Sequence, residues 1–552
     1  MVFVLIMISP STSKADSTEQ HSLPFSLDKE AFSIWLDRLD KKDKLEALQV
    51  FLGILKTLTN TKIAADIRAI FLEEISALVF QFSEQLQASY IKSYFPFSDE
   101  DTLKVVVSSQ CAIEIAENYA LICKDISFKT KAIFSPEDKA LILVNAIQAM
   151  VNVLLYKALI YKKAGKGFWS LCYLFYLFAK QNELMDLAPD QRDTSFIKVF
   201  KHLLVFELSN SQQFNTEEIH LIFNLLSSVS NKVDLLPMVP EKKVNSVPCL
   251  NLRVGAPPAV SKETIDEPSP YLYYVSNLNL IKQLFELSSD KRNVSYNQKI
   301  MILRLIKALT MNQHRQNERE LADNELYAEI GLDKFSEFLL HKESLLKTKG
   351  VVSYEVRDLS IDTGLKENSH DERLGYRNEI EARLSLTQGP GEENVEYIDN
   401  TDIWSAEHVE PEPQPNITVL DQSRLGFCLR LKDQHPSTKV GDIIHLQVLP
   451  TDVVTVVRRI NTTRENEVVV GVEVLGYDPE LLHIMDIDNE GAKNACILVD
   501  IDGQETIIIK AEIFTNQEYL VVDRNDKILR YRVEHILNSS TSTIKHLEVK
   551  LA

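Results

Sequence analysis

Asp421-Gln422-Ser423-Arg424-Leu425-Gly426-Phe427 stands between two short runs rich in branched apolar residues. A small acid, a hydroxyl two residues on and a glycine three after that can form a polar turn on the rim of a small barrel. The ionised Asp421 carboxylate accepts hydrogen bonds and the Ser423 hydroxyl both donates and accepts, so the pair can read a purine edge. Gly426 would let a ligand ring or a strand approach the backbone closely. This is recognition chemistry, and no competing catalytic chemistry is announced. The chain has no G-x-S-x-G elbow and no H-E-x-x-H pair, and Gly165-Lys166-Gly167 lacks the upstream glycine and the Ser or Thr of a phosphate loop. The 12 histidines are scattered, and no two of the six cysteines show C-x-x-C spacing, so neither a zinc site nor a disulfide framework is indicated. The residues therefore read as a binding protein, not an enzyme, with no cofactor and no metal. A hydrolase site in the helical half would need a pocket that no motif announces.

The elements that must hold these residues fall into three parts. The chain has 552 residues and a net charge of −19, from 60 Lys and Arg against 79 Asp and Glu. At this length about three or four domains fit. So acidic a chain is a poor coat for nucleic acid or an anionic membrane, and an anionic ligand must be held by a local basic cluster. Residues 20–230 read as an all-α domain, with apolar residues at three- and four-residue steps. Ser135-Pro136-Glu137-Asp138 and Asn215-Thr216-Glu217-Glu218 open two of its helices with N-cap chemistry. Ala140 to Tyr161 is apolar but contains Asn145, Gln148, Asn152 and Lys157, which suits a buried helix with one wet edge and no transmembrane segment. Gly165 and Gly167 break that helix. The aromatic stripe Phe168–Phe178 reads as core, with a groove for a partner helix as the alternative. Met1 to Ile8 is too short to span a bilayer, and residues 1–19 read as unstructured, an upstream start ahead of a soluble protein.

Seven of the 19 prolines fall between Pro237 and Pro270. Residues 231–272 are thus expected as a crossover without regular helix or central strand, and 273–312 as a helical connector. From about Glu325 the period shifts towards two. Five runs between Asn416 and Leu475 have the rhythm of a small antiparallel barrel, interrupted earlier by a polar insertion at about 345–415. Five more runs, with an Asp502-Gly503 hairpin, make residues 478–552 a small β subdomain. The expected fold class is α+β and multidomain: a helical N-terminal half, an antiparallel β-barrel and a small C-terminal β subdomain.

The signature at Asp421, Ser423 and Gly426 resembles that of the PilZ domain, D/N-x-S-x-x-G, and Val453 to Leu475 looks like the closing hairpin of that barrel. PilZ domains also carry R-x-x-x-R just before their first strand. Arg315-Gln316-Asn317-Glu318-Arg319 fits, shortly before the strand candidate Glu325 to Ile330 and a helix at Leu332 to His341. Arg373-Leu374-Gly375-Tyr376-Arg377 has the same spacing but sits inside the polar insertion with no strand soon after it. The resemblance covers residues 315–319, the strand after them and 416 to about 477, and it implies a receptor for cyclic di-GMP. Arginine forks bond phosphate oxygens or guanine O6 and N7 in pairs and stack on bases. The implied ligand set is Arg315, Arg319, Asp421, Ser423 and Gly426, with Arg424 and Arg458 as additional phosphate contacts. It further implies a cytoplasmic bacterial effector that passes ligand binding through its helical half to a protein partner controlling motility, pili or exopolysaccharide. The alternative is a nucleotide-independent scaffold or adaptor with a degenerate barrel, which would capture partners through the Trp169 face or the Pro-rich segment.

Overall fold

The computed structural model describes residues 23–25, 29–128, 134–189, 194–237, 248–260, 270–289, 294–310, 320–348, 415–423, 425–432, 438–448, 451–485, 493–501, 503–514, 518–524, 527–538 and 544–552. Residues 1–340 and 415–552 form one compact unit, and 341–414 a second.

The helical half contains α1 (Lys29–Asp40), α2 (Lys44–Asn60), α3 (Ala65–Tyr90), α4 (Asp99–Phe128), α5 (Pro136–Leu159), α6 (Lys166–Gln181), α7 (Phe196–Leu208) and α8 (Thr216–Val229). Two capping boxes start helices where the sequence places them. The Asp138 amide donates to Ser135 Oγ at 3.1 Å, and the Glu218 amide donates to Asn215 Oδ1 at 2.9 Å. Each cap satisfies an amide that the first helical turn leaves without a carbonyl. Helix α5 buries Leu143, Ile147, Val151 and Leu159 completely, while Asn145, Gln148, Asn152 and Lys157 form its partly exposed edge. It is the one helix among the described residues long and apolar enough to cross a membrane, and 72% of its most apolar window is buried within the protein.

The stripe on α6 is core. Trp169, Cys172 and Phe175 are wholly buried, and Tyr176 packs against Phe200 at 4.8 Å and Tyr273 at 5.8 Å. A partner cannot use the Trp169 face, which removes that surface from the adaptor alternative. The break after α5 also differs from expectation. The helix ends at Leu159, and the chain turns at Tyr161, whose φ is +53°, four residues ahead of Gly165. Tyr161 tolerates the left-handed conformation because tertiary contacts fix it. Its hydroxyl donates to the Phe214 carbonyl at 3.0 Å, and its ring meets Phe95 edge-on at 4.9 Å. Gly165 instead caps the start of α6, and Gly167 lies inside it.

The Pro-rich crossover contains a sheet, contrary to the exclusion of central strands there. Strands β1 (Asp234–Pro237), β2 (Pro248–Asn251), β3 (Ala259–Val260) and β4 (Leu272–Ser276) lie in the order β1-β4-β2-β3. The prolines are accommodated by position. Pro237 ends the edge strand β1 and Pro248 begins the interior strand β2, where a missing amide costs least. Helices α9 (Leu278–Ser289) and α10 (Tyr296–Thr310) follow.

Six strands then close a barrel: β5 (Glu320–Ile330), β6 (Ile417–Ser423), β7 (Gly426–Leu431), β10 (Val468–Met485), β9 (Thr451–Thr462) and β8 (Ile443–Val448), which pairs back to β5. Closure leaves no free edge. Helix α11 (Leu332–Thr348) comes between β5 and β6 in the chain. The boundary read at 477/478 falls inside β10. That strand continues through a bulge at Tyr477/Glu480 and pairs with β11 (Lys493–Ile501). From there β12 (Gln504–Lys510), β15 (Ile544–Leu551), β14 (Lys527–Asn538) and β13 (Tyr519–Arg524) run round to β10 again. The C-terminal strands therefore make a second six-stranded ring that shares β10 with the first. The β11–β12 turn is the expected hairpin, with Ile501 facing Gln504 and Gly503 at φ +81°.

Candidate functional site

The signature lies at one end of the first barrel. Asp421, Gln422 and Ser423 are the last residues of β6, and Gly426 is the first of β7. The polar turn expected from sequence is narrower than the motif: Asp421 and Ser423 stand within a strand, and residues 424–425 alone make the connection. Ser423 Oγ donates to the Gly426 carbonyl at 3.1 Å, which closes the hairpin from inside. Gly426 is needed for close approach. A Cβ there would lie 2.1 Å from the Val472 carbonyl oxygen of β10, so no side chain fits while β7 and β10 remain paired.

Strand β5 begins five residues earlier than its sequence pattern, and this sets the register that matters. Glu320 faces Gln422, and Leu321 faces Asp421. The residue that follows Arg319 is thus hydrogen-bonded in register with the signature strand, although about a hundred residues separate them in sequence. Arg315, Arg319 and Arg424 lie outside the described residues, as do Arg373 and Arg377. Arg458, on β9, pairs with Glu473, and Glu473 is the Cα partner of Gly426. The ion pair therefore stands beside the glycine corner, with the guanidinium already engaged by a carboxylate.

Two apolar side chains that the sequence did not single out sit at this end. Leu321 is 94% exposed and Leu425 is 55% exposed. A single exposed leucine is ordinary. Two of them flanking an acid and a hydroxyl at a strand end make a surface on which a flat ring can rest. The signal was available in part, since Leu321 follows Arg319 by two residues.

The barrel is tied to the helical half by named contacts; on β9 they fall at Thr462, level with Leu431 at the end of β7 away from Gly426. The Thr462 amide of β9 donates to the Tyr161 carbonyl at 3.1 Å, and Thr462 Oγ1 donates to the Ile160 carbonyl at 2.9 Å. Phe95 and Thr438 form an antiparallel bridge, and Lys439 lies over the Tyr94 ring at 4.5 Å. On α10, Arg304 donates to Glu218 Oε1 at 2.7 Å and to the Gln213 carbonyl, and lies over the Phe214 ring at 4.7 Å. Burial raises the Glu218 carboxyl above its ordinary range and lowers Arg304, and each partner offsets the other's penalty. Removing one member of so enclosed a pair costs about 3–5 kcal/mol. Six residues after Arg304, α10 ends at Thr310; residues 311–319, which carry the arginine motif, lead on to β5.

Among the described residues no group of His, Cys, Asp and Glu is arranged to hold a metal ion, and none of the six cysteines forms a disulfide.

No curated protein and no solved structure matches the chain. Residues 30–241 match the model of a family described as the N-terminal domain of the cyclic-di-GMP receptor FimW. The match falls on the helical half, α1 to β1, which carries no part of the PilZ-like signature and which the sequence alone left without an assignment.

Proposed function

We propose that this chain is a cyclic di-GMP receptor of PilZ type, with Arg315, Arg319, Asp421, Ser423 and Gly426 as its ligand-binding residues. The observation that carries the reading is the β5–β6 register: it puts the strand that follows Arg315 and Arg319 alongside Asp421 and Gln422. The family match to residues 30–241 supports it independently, from the other half of the molecule. A doubly negative ring with two guanines needs arginine forks, an acceptor for base N–H groups and a close backbone approach, and Asp421, Gly426 and the first residues of β5, which follow Arg319 in the chain, share one barrel end. Arg458, released from Glu473, and Arg424 supply further phosphate contacts.

The receptor acts without catalysis and without a bound cofactor or metal. Ligand is held through Arg315 and Arg319, in residues 311–319. That segment joins α10, which Arg304 anchors to Glu218, to β5, so binding loads the junction between barrel and helical half. The helical half passes the change to a protein partner in the bacterial cytoplasm.

Calorimetric titration of the full chain with cyclic di-GMP tests the reading. Binding by the parent chain, weakened at least tenfold in Asp421→Ala and in Arg319→Ala with unchanged melting temperature, is the expected result. A flat titration of the folded parent chain excludes the receptor reading and leaves the scaffold.

A further inference from the structure

A cleft of about 380 Å³ opens in the helical half, between the C-terminal ends of α5, α7 and α10 and the strand residues Pro248 and Ala259. That volume is typical of small-molecule sites. Its walls mix apolar side chains, Leu154, Phe206 and Leu309 among them, with the polar Asn210, Gln212 and Thr310. Three charged side chains line it: Lys162, Lys163 and Glu207. Two ammonium groups against one carboxyl leave the lining net positive, in a chain whose net charge is −19. None of these residues belongs to the barrel site.

Glu207 is the informative member. Burial pushes its pKa up to about 7, while the charge of Lys163 pulls it down. Among the described residues no group donates a hydrogen bond to its carboxylate. Burial already penalises the ionised form of this half-buried carboxylate, and a ligand that brings paired N–H donors would relieve that penalty. The lysines ask for negative charge in the same molecule. Lys162 is already drawn to the barrel, donating to Asn466 Oδ1 at 2.6 Å in the turn between β9 and β10.

A flat body for the walls, two adjacent N–H donors and an anionic tail together describe a guanine nucleotide. The guanine N1–H and N2–H groups match the two oxygens of a carboxylate, whereas adenine presents an acceptor at N1 and offers no such pair. We propose that this cleft is a guanine-nucleotide site, in which Glu207 reads the N1–H and N2–H edge and Lys163 holds the phosphate, with Lys162 at its mouth beside the barrel.

The test uses the full chain and guanosine 5′-monophosphate, with adenosine 5′-monophosphate as the control, followed by calorimetry. The guanine nucleotide should bind at least tenfold more tightly than the adenine one. Glu207→Gln, which keeps the shape, and Lys163→Ala should each weaken it at least tenfold, while Glu207→Gln keeps the parent's melting temperature at pH 4, where both side chains are neutral. The pH dependence is a second readout. Paired donors require the ionised carboxylate, so affinity should rise between pH 6 and pH 8. Of the groups that face Glu207, namely Tyr161, Lys162, Lys163 and Tyr173, burial holds both tyrosines protonated. The phosphate itself loses its second proton near about pH 6, so adenosine 5′-monophosphate gives the rise due to the lysines alone, and the guanine nucleotide should exceed it. No binding at millimolar guanosine monophosphate, equal binding of the adenine nucleotide, or unchanged binding by Glu207→Gln overturns the proposal.

Discussion

The two barrels of this chain have the same strand number and share β10, yet they present different chemistry at their polar groups. In the second ring Arg524 is saturated from within. It donates to Glu480 through Nε at 3.0 Å and Nη2 at 2.6 Å, to Glu505 at 2.9 Å and to the Tyr531 hydroxyl at 3.2 Å. Those hydrogen bonds, first to Glu480, raise its pKa further. A guanidinium so occupied fastens strands β10, β12, β13 and β14 and has little left for a ligand. In the first ring, Asp421 and Ser423 stand at a strand end between two exposed leucines, and Arg315 and Arg319 precede β5 in the sequence. The same architecture thus serves as a fastening in one place and as a candidate recognition surface in the other. Barrel topology alone does not tell which; the groups at the strand ends do.

The contrast can be broken most forcefully at its glycines. Gly426→Ala drives a methyl group into the Val472 carbonyl and should cost about 3 kcal/mol, read as a fall in the urea midpoint, together with loss of cyclic di-GMP binding. Gly503→Ala in the second ring meets open space and pays only for its left-handed backbone, about 1–2 kcal/mol, with ligand binding intact. If the two substitutions cost the same, close approach is not what Gly426 provides.

Acid should separate the rings next. His546 on β15 is buried, hydrogen-bonded to Thr506 at 2.7 Å, and its pKa is lowered to about 4 by burial and then by the charge of Arg458. Its folded pKa lies below the unfolded one, so its contribution is complete above about pH 6.5 and is lost as pH falls towards 4, by up to about 3 kcal/mol. Hydrogen exchange at pH 4.5 should therefore rise in β12 and β15 before it rises in β6 and β7, and His546→Gln should flatten that difference. Glu207 in the helical half has the opposite sign. Its raised pKa makes the fold lose stability as pH climbs from about 4.5 to 7, so Glu207→Gln should be the more stable form at pH 8 and equal to the parent at pH 4.

Smaller effects sharpen the picture. Arg524→Ala, at a partly exposed ion pair, should lower stability by about 1 kcal/mol without touching ligand affinity. Leu321→Ser and Leu425→Ser should leave stability within about 0.5 kcal/mol and weaken cyclic di-GMP severalfold, since both side chains are already in water. Unchanged affinity in both would mean that the ligand does not rest on that end of the barrel.

Much of the scaffold was legible because its signals are local. Ser135 and Asn215 cap helices through groups three residues away, and the strands of the second ring alternate within spans of six to twelve residues. The lysine and amides on α5 marked its wet edge by spacing alone. The acid, hydroxyl and glycine of the signature were visible for the same reason, being six residues of continuous chain. What escaped was decided at a distance. Tyr-Asp-Pro at 477–479 reads as a turn, and Asp478 does take φ +47°, yet pairing to β9 before it and β11 after it carries β10 through. Tyr161 bends the chain ahead of the glycines because Phe214 and Phe95 lie against it.

The sequence by itself determined the helices of the N-terminal half, the two capping boxes and most barrel strands, because each of these rests on side chains a few positions apart. Only the tertiary structure decided that Glu320 lies beside Gln422, that two rings share one strand, and that Glu207 and Lys163 line one cleft. Ring closure and cleft walls arise when distant segments pair, and no spacing within a single segment encodes the partner it will find.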